Sequence, residues 1–290
     1  MKKPLFTGVC TALVTPFLEN RVNYPMMDML LRRQMDAGIN AVVVAGTTGE
    51  APTLSDDEKR ELIQRAKDFA GDGCAIIAGT GSNSTEHAIS LSQDAEEAGA
   101  DAVLVVSPYY NKATPDGLLA HYTAIAHSVS IPIILYNVPS RTGVDIPVSV
   151  YRRLAAIPNI VGVKEAAADI TKIARIRKEC PEDFFVWSGN DEQIVPAMAL
   201  GAKGVISVLS NLCPKETRFM ADAALDGDMD TAAALQIELL PLIDLLFCEV
   251  NPIPIKEAMA LIGYDCGHCR LPLTRLTKEN RKKLMECLKK

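Results

Sequence analysis

Clustered positive charge is missing from this sequence. Lysine and arginine number 30 against 36 acidic residues, for a net charge of −6, and they are scattered. The C-terminal Lys282-Lys283 and Lys289-Lys290 look like a solvated helix face. Nucleic acid and anionic membrane surfaces are bound through basic blocks, so neither is expected as a partner. A neutral or anionic small molecule is the better expectation, provided cations gather locally. Also missing is any uncharged apolar window long enough to span a bilayer. The opening Lys2-Lys3-Pro4-Leu5-Phe6 has the charged front of a signal peptide. Its apolar stretch, however, is interrupted by Thr7, Gly8, Thr11 and Thr15-Pro16, with no small-residue cleavage site, so a first strand is expected there. Disulfide frameworks belong to short secreted chains. The eight cysteines here (Cys10, Cys74, Cys180, Cys213, Cys248, Cys266, Cys269 and Cys287) lie partly inside apolar runs, where free cysteine acts as a small hydrophobe. They are read as mostly reduced thiols of a soluble cytoplasmic protein. Low-complexity segments are absent as well.

What is present is apolar and periodic. At 290 residues and 48% hydrophobic, the chain can bury a large core. Eight β-branched apolar runs recur at residues 8–14, 41–45, 75–79, 102–107, 131–137, 160–164, 184–188 and 204–208. Helical segments with caps separate them. Asn23 precedes Pro25 and a Met26, Leu30, Leu31, Met35 stripe; Ser55 and Glu58 have capping-box spacing; Asn83-Ser84, Thr114, Asp169 and Asn190 open others. The runs are continuously apolar rather than alternating, as when both faces of a strand are covered. Eight strand–helix units predict a closed (β/α)8 TIM barrel over residues 1–226. An open doubly wound sheet is the alternative, but no strand looks blunted as an edge. Residues 227–290 follow as a C-terminal extension of three helical segments, 229–250, 254–262 and 277–288, to which the sequence assigns no chemistry of its own.

In such a barrel the site lies at the carboxyl ends of the strands. The sixth run, Ile160-Val161-Gly162-Val163-Lys164-Glu165, ends on a lysine. A lysine there either reaches solvent or is a buried amine able to attack a carbonyl. Other strand ends supply Gly46-Thr47-Thr48-Gly49-Glu50, Tyr109-Tyr110, Tyr136, Arg141, Gly189 and Ile206. Glycines around Thr47-Thr48 let backbone N–H groups approach a carboxylate. Tyr136 can shuttle protons, and Arg141 offers a bidentate fork for a second carboxylate. An amine, a carboxylate nest, a phenol and an arginine describe a site for a 2-oxo acid.

Three segments carry a resemblance: Gly46-Thr47-Thr48-Gly49-Glu50, Tyr136-Asn137-Val138-Pro139-Ser140-Arg141-Thr142-Gly143 and Gly162-Val163-Lys164-Glu165. Their order and spacing resemble the dihydrodipicolinate synthase family, pyruvate-dependent class I aldolase-type barrels related to N-acetylneuraminate lyase. The likeness runs over essentially the whole chain, including Gly204–Ser207 with Val208 and Asn251-Pro252-Ile253-Pro254-Ile255-Lys256. The resemblance implies that Lys164 forms an imine with pyruvate and that Thr47 and Thr48 hold its carboxylate. Thr47, Tyr136 and Tyr110 would form a proton relay, Tyr110 reaching in from a neighbouring subunit. Arg141 would take the carboxylate of L-aspartate 4-semialdehyde, and the backbone of Gly189 and Ile206 would line the site. It further implies condensation of pyruvate with that semialdehyde in lysine and diaminopimelate biosynthesis, no metal or organic cofactor, and a homotetramer.

Rival readings stay open. Another pyruvate aldolase, acting on N-acetylneuraminate or a keto-sugar acid, would share the imine chemistry, though the Ser140-Arg141-Thr142-Gly143 loop favours the semialdehyde. A catalytically silent barrel serving as a binding protein is a reading from a different class. Cys266-Gly267-His268-Cys269 has the spacing of a redox or half-metal motif, but lies in a loop of the extension with no strand before it. It is read as coincidence. Lysine-inhibited family members place polar and histidine side chains after the threonine pair and a glutamate further on. An Asn and a Tyr of that set are matched here by Asn83 and Tyr109, but Ala51-Pro52, Asp56 and Lys59 occupy the first segment and His87 the glutamate position, so weak or absent inhibition by lysine is expected.

Overall fold

The computed structural model describes residues 2–289; Met1 and Lys290, the latter grouped above with Lys289, lie outside the described residues. Strands β1 (Gly8–Ala12) and a short antiparallel hairpin, β2 (Phe17–Leu18) and β3 (Arg21–Val22), come first. Strands β4 (Ala41–Val44), β5 (Ala75–Gly79), β6 (Ala102–Val106), β7 (Ile133–Asn137), β8 (Ile160–Glu165), β9 (Phe185–Ser188) and β10 (Gly204–Ser207) follow. Neighbours pair in parallel, and β1 pairs with both β4 and β10, closing an eight-stranded barrel. Closure leaves no edge strand, which is why none is blunted. The expected (β/α)8 architecture is thus the observed one.

Helices α1 (Tyr24–Asp36), α2 (Asp56–Ala70), α3 (Thr85–Glu97), α4 (Pro115–Ser128), α5 (Pro139–Thr142), α6 (Val148–Leu154), α7 (Thr171–Glu179), α8 (Ile194–Ala199) and α9 (Pro214–Leu225) lie between or after the strands. Several begin where side-chain oxygens satisfy orphan N–H groups. Asn23 accepts from Met26, Ser55 and Glu58 form a reciprocal capping box, and Thr114 accepts from Gly117. Asp169 does bond the Thr171 amide at 2.9 Å, but α7 itself starts at Thr171. The stretch after Asn190 begins as a 3-10 turn, Asp191–Gln193, before α8.

Two apolar layers result. Inside the barrel, Cys10, Val43, Ile77, Leu104, Phe185 and Trp187 fill the lumen. A larger cluster packs the outer strand faces against the helices. Phe6 stacks on Trp187 at 5.0 Å between ring centroids, and its carbonyl accepts from the indole N–H at 3.2 Å. Lys2 seats its ammonium on the carbonyls of Ala155, Ile157 and Ile160 at 2.7–3.0 Å, where the chain enters β8. After α9 come α10 (Met229–Leu246), α11 (Ile253–Leu261) and α12 (Lys278–Cys287). No described helix is long and apolar enough to cross a membrane.

Candidate active site

Lys164 sits one residue from the end of β8, in register with Tyr136 of β7 and Trp187 of β9. It is only 5% exposed, and its amine lies over the Tyr136 ring, 4.4 Å from the centroid. The solvent-reaching reading of this lysine therefore fails. Gly189, just past β9, makes space for the lysine stem. A Cβ at that position would stand 2.7 Å from Ala166 Cβ and 3.0 Å from Lys164 Cε.

The neighbouring Glu165 turns to the other side of the strand. Its carboxylate accepts from Asn137 Nδ2 at 2.7 Å, the Ala167 amide at 2.9 Å and the Tyr151 hydroxyl at 3.1 Å, with Lys172 at 3.7 Å. Burial pushes this carboxyl above its ordinary range, while the Lys172 charge and the hydrogen bonds pull it back. Glu165 thereby pins the strand end that carries the amine.

Two adjoining cavities open here. One, of about 410 Å³, is lined by Lys164, Thr47, Thr48, Tyr136, Arg141 and Gly189, among others. The second, of about 440 Å³, shares Thr47, Tyr136 and Arg141 and extends to Lys59, His87 and Tyr109. Six of the eight residues singled out from sequence thus meet in one place. Ile206 is fully buried in the barrel interior on β10, beside Cys10 of β1. Tyr110 stands apart: it is 91% exposed and holds a left-handed φ of 70°, a strained backbone for a bulky residue.

The threonine loop leaves β4 through Ala45 at φ 52° and ends at Glu50 at φ 59°. Its buried Thr48 accepts a hydrogen bond from Asn251 Nδ2 at 2.9 Å. The Asn251 carbonyl in turn accepts from Arg141 Nη2 at 3.3 Å. Glu50 is buried against Lys256, Oε1 to Nζ 2.7 Å, and its Oε2 accepts the Arg270 amide at 2.8 Å. Arg270 then forks onto Glu58 at 2.7 and 2.5 Å. Asn251, Lys256 and Arg270 all lie in the stretch to which the sequence assigned no chemistry. Through them the extension braces the site. The only hint in the sequence is the Asn251–Lys256 segment within the family resemblance, because contacts spanning about 200 positions leave no local pattern.

Asp191, just past the seventh run, is a further residue to which the sequence assigns no role. It is 1% exposed, and its Oδ2 accepts the amides of Val208 and Leu209, both at 2.9 Å. Burial raises its carboxyl above the ordinary range, opposed by Ser207, those two amides and the charge of Lys164. It ties the turn after β10 to that after β9.

Cys266-Gly267-His268-Cys269 lies in coil beside this brace, the His268 carbonyl 3.4 Å from Lys256 Nζ. Burial pushes both thiols up to about 12, so they stay protonated and poorly nucleophilic near neutral pH. Among the described residues no group of three or more His, Cys, Asp or Glu is placed to hold a metal ion.

Comparison with known proteins fits this geometry. The dihydrodipicolinate synthetase family model matches residues 5–290. A 4-hydroxy-tetrahydrodipicolinate synthase of Acetivibrio thermocellus is 48% identical over 289 residues, covering 100% of this chain and 98% of that protein. The chloride-inhibited dihydrodipicolinate synthase of Acinetobacter baumannii, solved in complex with pyruvate, superposes with a TM-score of 0.95 at 43% identity, over 98% of both chains. The enzyme of Cyanidioschyzon merolae, solved with lysine bound, gives 0.96 at 39% identity over 99% of this chain and 98% of that one.

Proposed function

Since the chain belongs to the dihydrodipicolinate synthetase family, we propose that it condenses pyruvate with L-aspartate 4-semialdehyde to 4-hydroxy-tetrahydrodipicolinate, on the route to diaminopimelate and lysine. The observation that carries this reading is the buried Lys164 amine over Tyr136, in a cavity shared with Thr47, Thr48 and Arg141.

The Lys164 amine attacks C2 of pyruvate, whose carboxylate rests on the Thr47–Thr48 loop. The carbinolamine gains a proton on its hydroxyl through Tyr136 and loses water, leaving a protonated imine. That imine withdraws electrons, so the C3 methyl gives up a proton and becomes an enamine carbon. The enamine adds to the semialdehyde carbonyl, the new alkoxide taking a proton from the tyrosine side. Arg141 holds the semialdehyde carboxylate. The semialdehyde's own amine then attacks the imine carbon, closing the ring and releasing Lys164.

Thr47, Tyr136 and a Tyr110 delivered by a neighbouring subunit form the relay in this reading. The exposure and strained backbone of Tyr110 support such a role. We accordingly propose a homotetramer of tight dimers in the cytoplasm, with the eight thiols reduced. Lysine regulation is proposed to be weak. The wall of the second cavity carries Lys59 and His87, each 2.9 Å from Asp56, so the carboxylate that Asp56 brings to this wall is already paired and a cationic ligand gains little.

Borohydride reduction in the presence of pyruvate tests the chemistry. A covalent adduct on Lys164 is expected, lost in Lys164→Ala. Its absence from the wild type would sink the imine reading and leave a silent barrel. Arg141→Ala should still trap pyruvate but lose use of the semialdehyde by about ten- to a hundredfold in kcat/KM, as a charge-assisted contact predicts. Turnover of a sugar-acid aldehyde instead would move the chain to the rival aldolases.

A further inference from the structure

The Asn251 carboxamide occupies a junction that the proposed chemistry does not use. Its Nδ2 donates to Thr48 Oγ1 at 2.9 Å, and its backbone carbonyl accepts from Arg141 Nη2 at 3.3 Å. The residue is 5% exposed and lines the Lys164 cavity. Its Oδ1 is buried without a hydrogen-bond partner among the described residues. A buried orphan acceptor costs stability. The position therefore keeps an amide for what the nitrogen does, not for what the oxygen does.

A threonine hydroxyl has one proton. If Oγ1 accepts from Asn251, that proton is free to point elsewhere; if Oγ1 donated to a neighbour, it would be consumed. An amide N–H aimed at Oγ1 therefore sets the polarity of the Thr48 hydroxyl, turning it into a donor toward the cavity. Arg141, held by the same residue's carbonyl, keeps its remaining N–H groups for a carboxylate.

We propose that Asn251 is a positioning residue that fixes the donor direction of Thr48 for the carboxylate of pyruvate and couples it to the Arg141 subsite. This rests on the pyruvate reading above. Asn251→Asp keeps the shape but reverses the hydrogen bond, because a carboxylate can only accept. It would take the Thr48 proton and set a negative charge near the substrate carboxylate.

The test uses the full-length protein with pyruvate as probe, following adduct formation on Lys164 by borohydride trapping and mass spectrometry across pyruvate concentrations. Asn251→Asp should raise the half-saturating pyruvate concentration by about ten- to a hundredfold, in the range of a lost charge-assisted hydrogen bond. Trapping at saturating pyruvate should be retained. Asn251→Ala should raise it less than Asn251→Asp, and the semialdehyde KM should move less than that of pyruvate in both. Thr48→Val should match Asn251→Ala, and combining the two should add less than about twofold, as for residues acting through one contact. Melting temperatures of all variants separate this from misfolding, since a merely structural role lowers the amount of active protein without moving half-saturation. Wild-type half-saturation in Asn251→Asp, or fully multiplicative effects of the two alanine and valine changes, overturns the assignment. If the wild type itself forms no adduct, the pyruvate reading falls first. If the wild type traps and Asn251→Asp traps identically, only the role of Asn251 falls.

Discussion

Replacing Lys256 with methionine probes the brace beneath the threonine loop. Both members of the Glu50–Lys256 pair are within 2% of full burial and 2.7 Å apart, and Lys256 Nζ also lies 4.3 Å from the Phe17 ring centroid. Methionine fills a similar volume but leaves the buried Glu50 carboxylate with only neutral close partners, the Arg270 amide and the Cys269 thiol, among the described residues. Breaking a buried pair by removing one charge costs about 3–5 kcal/mol. At about 2–4 °C per kcal/mol for a domain of this order of size, the melting temperature should fall by roughly 6–20 °C. The double variant Glu50→Gln with Lys256→Met removes both charges and should recover most of that loss, since a neutral replacement of a buried pair is often tolerated. Calorimetry on the three proteins, with pyruvate half-saturation measured alongside, decides the matter. A Lys256→Met protein that melts with the wild type would refute the reasoning. So would a double variant no better than the single one, which would point to lost packing instead of stranded charge.

Three further outcomes are expected. Gly189→Ala should lower kcat by about ten- to a hundredfold through displacement of the Lys164 stem; an unchanged kcat in steady-state assays would show that the amine has slack. His121 is buried, with Nδ1 2.9 Å from the Thr85 hydroxyl and Nε2 without a partner among the described residues, and burial pushes its imidazole down to about 4. The unfolded chain takes up that proton near 6.5 and the native state only near 4, so this contribution to stability is complete above pH 6.5 and is lost as pH falls toward 4. Denaturant midpoints of His121→Gln should accordingly fall less than those of the wild type between pH 7 and about 4.5, and parallel curves would dismiss the idea. Free L-lysine at sub-millimolar concentration should leave the rate unchanged, and strong inhibition in a coupled assay would overturn the charge argument at Lys59 and His87.

The barrel was readable because its strands are buried on both faces and so appear as unbroken apolar runs. Their ends were less so. The run at 131–137 starts too early because Pro132 offers a carbonyl to Val103 but has no N–H for the ladder, and β7 begins at Ile133. Helix α6 escaped notice because it is seven residues long, has Pro147 at its N-cap and makes no side-chain cap bond. The two-residue hairpin strands β2 and β3 are too short for any period to register. The eighteen-residue α10 stops at Leu246, short of the expected 250, where Phe247 already departs from helical angles. In the site, residues that end strands were legible because the fold rule says where strand ends converge. Those that act through distant partners, Asn251 on Thr48 and Lys256 on Glu50, were not, for nothing near them in the chain hints at whom they meet. The left-handed backbone at Tyr110 is equally silent in sequence, since tyrosine gives no sign of it as glycine would.

The Glu50–Arg270 contact has a consequence for the order in which each molecule becomes competent. Chains grow from the amino terminus, and domains generally fold as units during synthesis. Lys164, Tyr136 and the threonine loop are all made well before Arg270, and every barrel strand has been translated by Ser207. Yet the amide that donates to Glu50 and the guanidinium that donates to Glu58 both belong to Arg270, well beyond the last barrel strand. A nascent barrel can thus be closed while its binding loop is still unbraced. Readiness for substrate waits on Arg270, so a chain made only as far as the barrel carries the amine without the cradle.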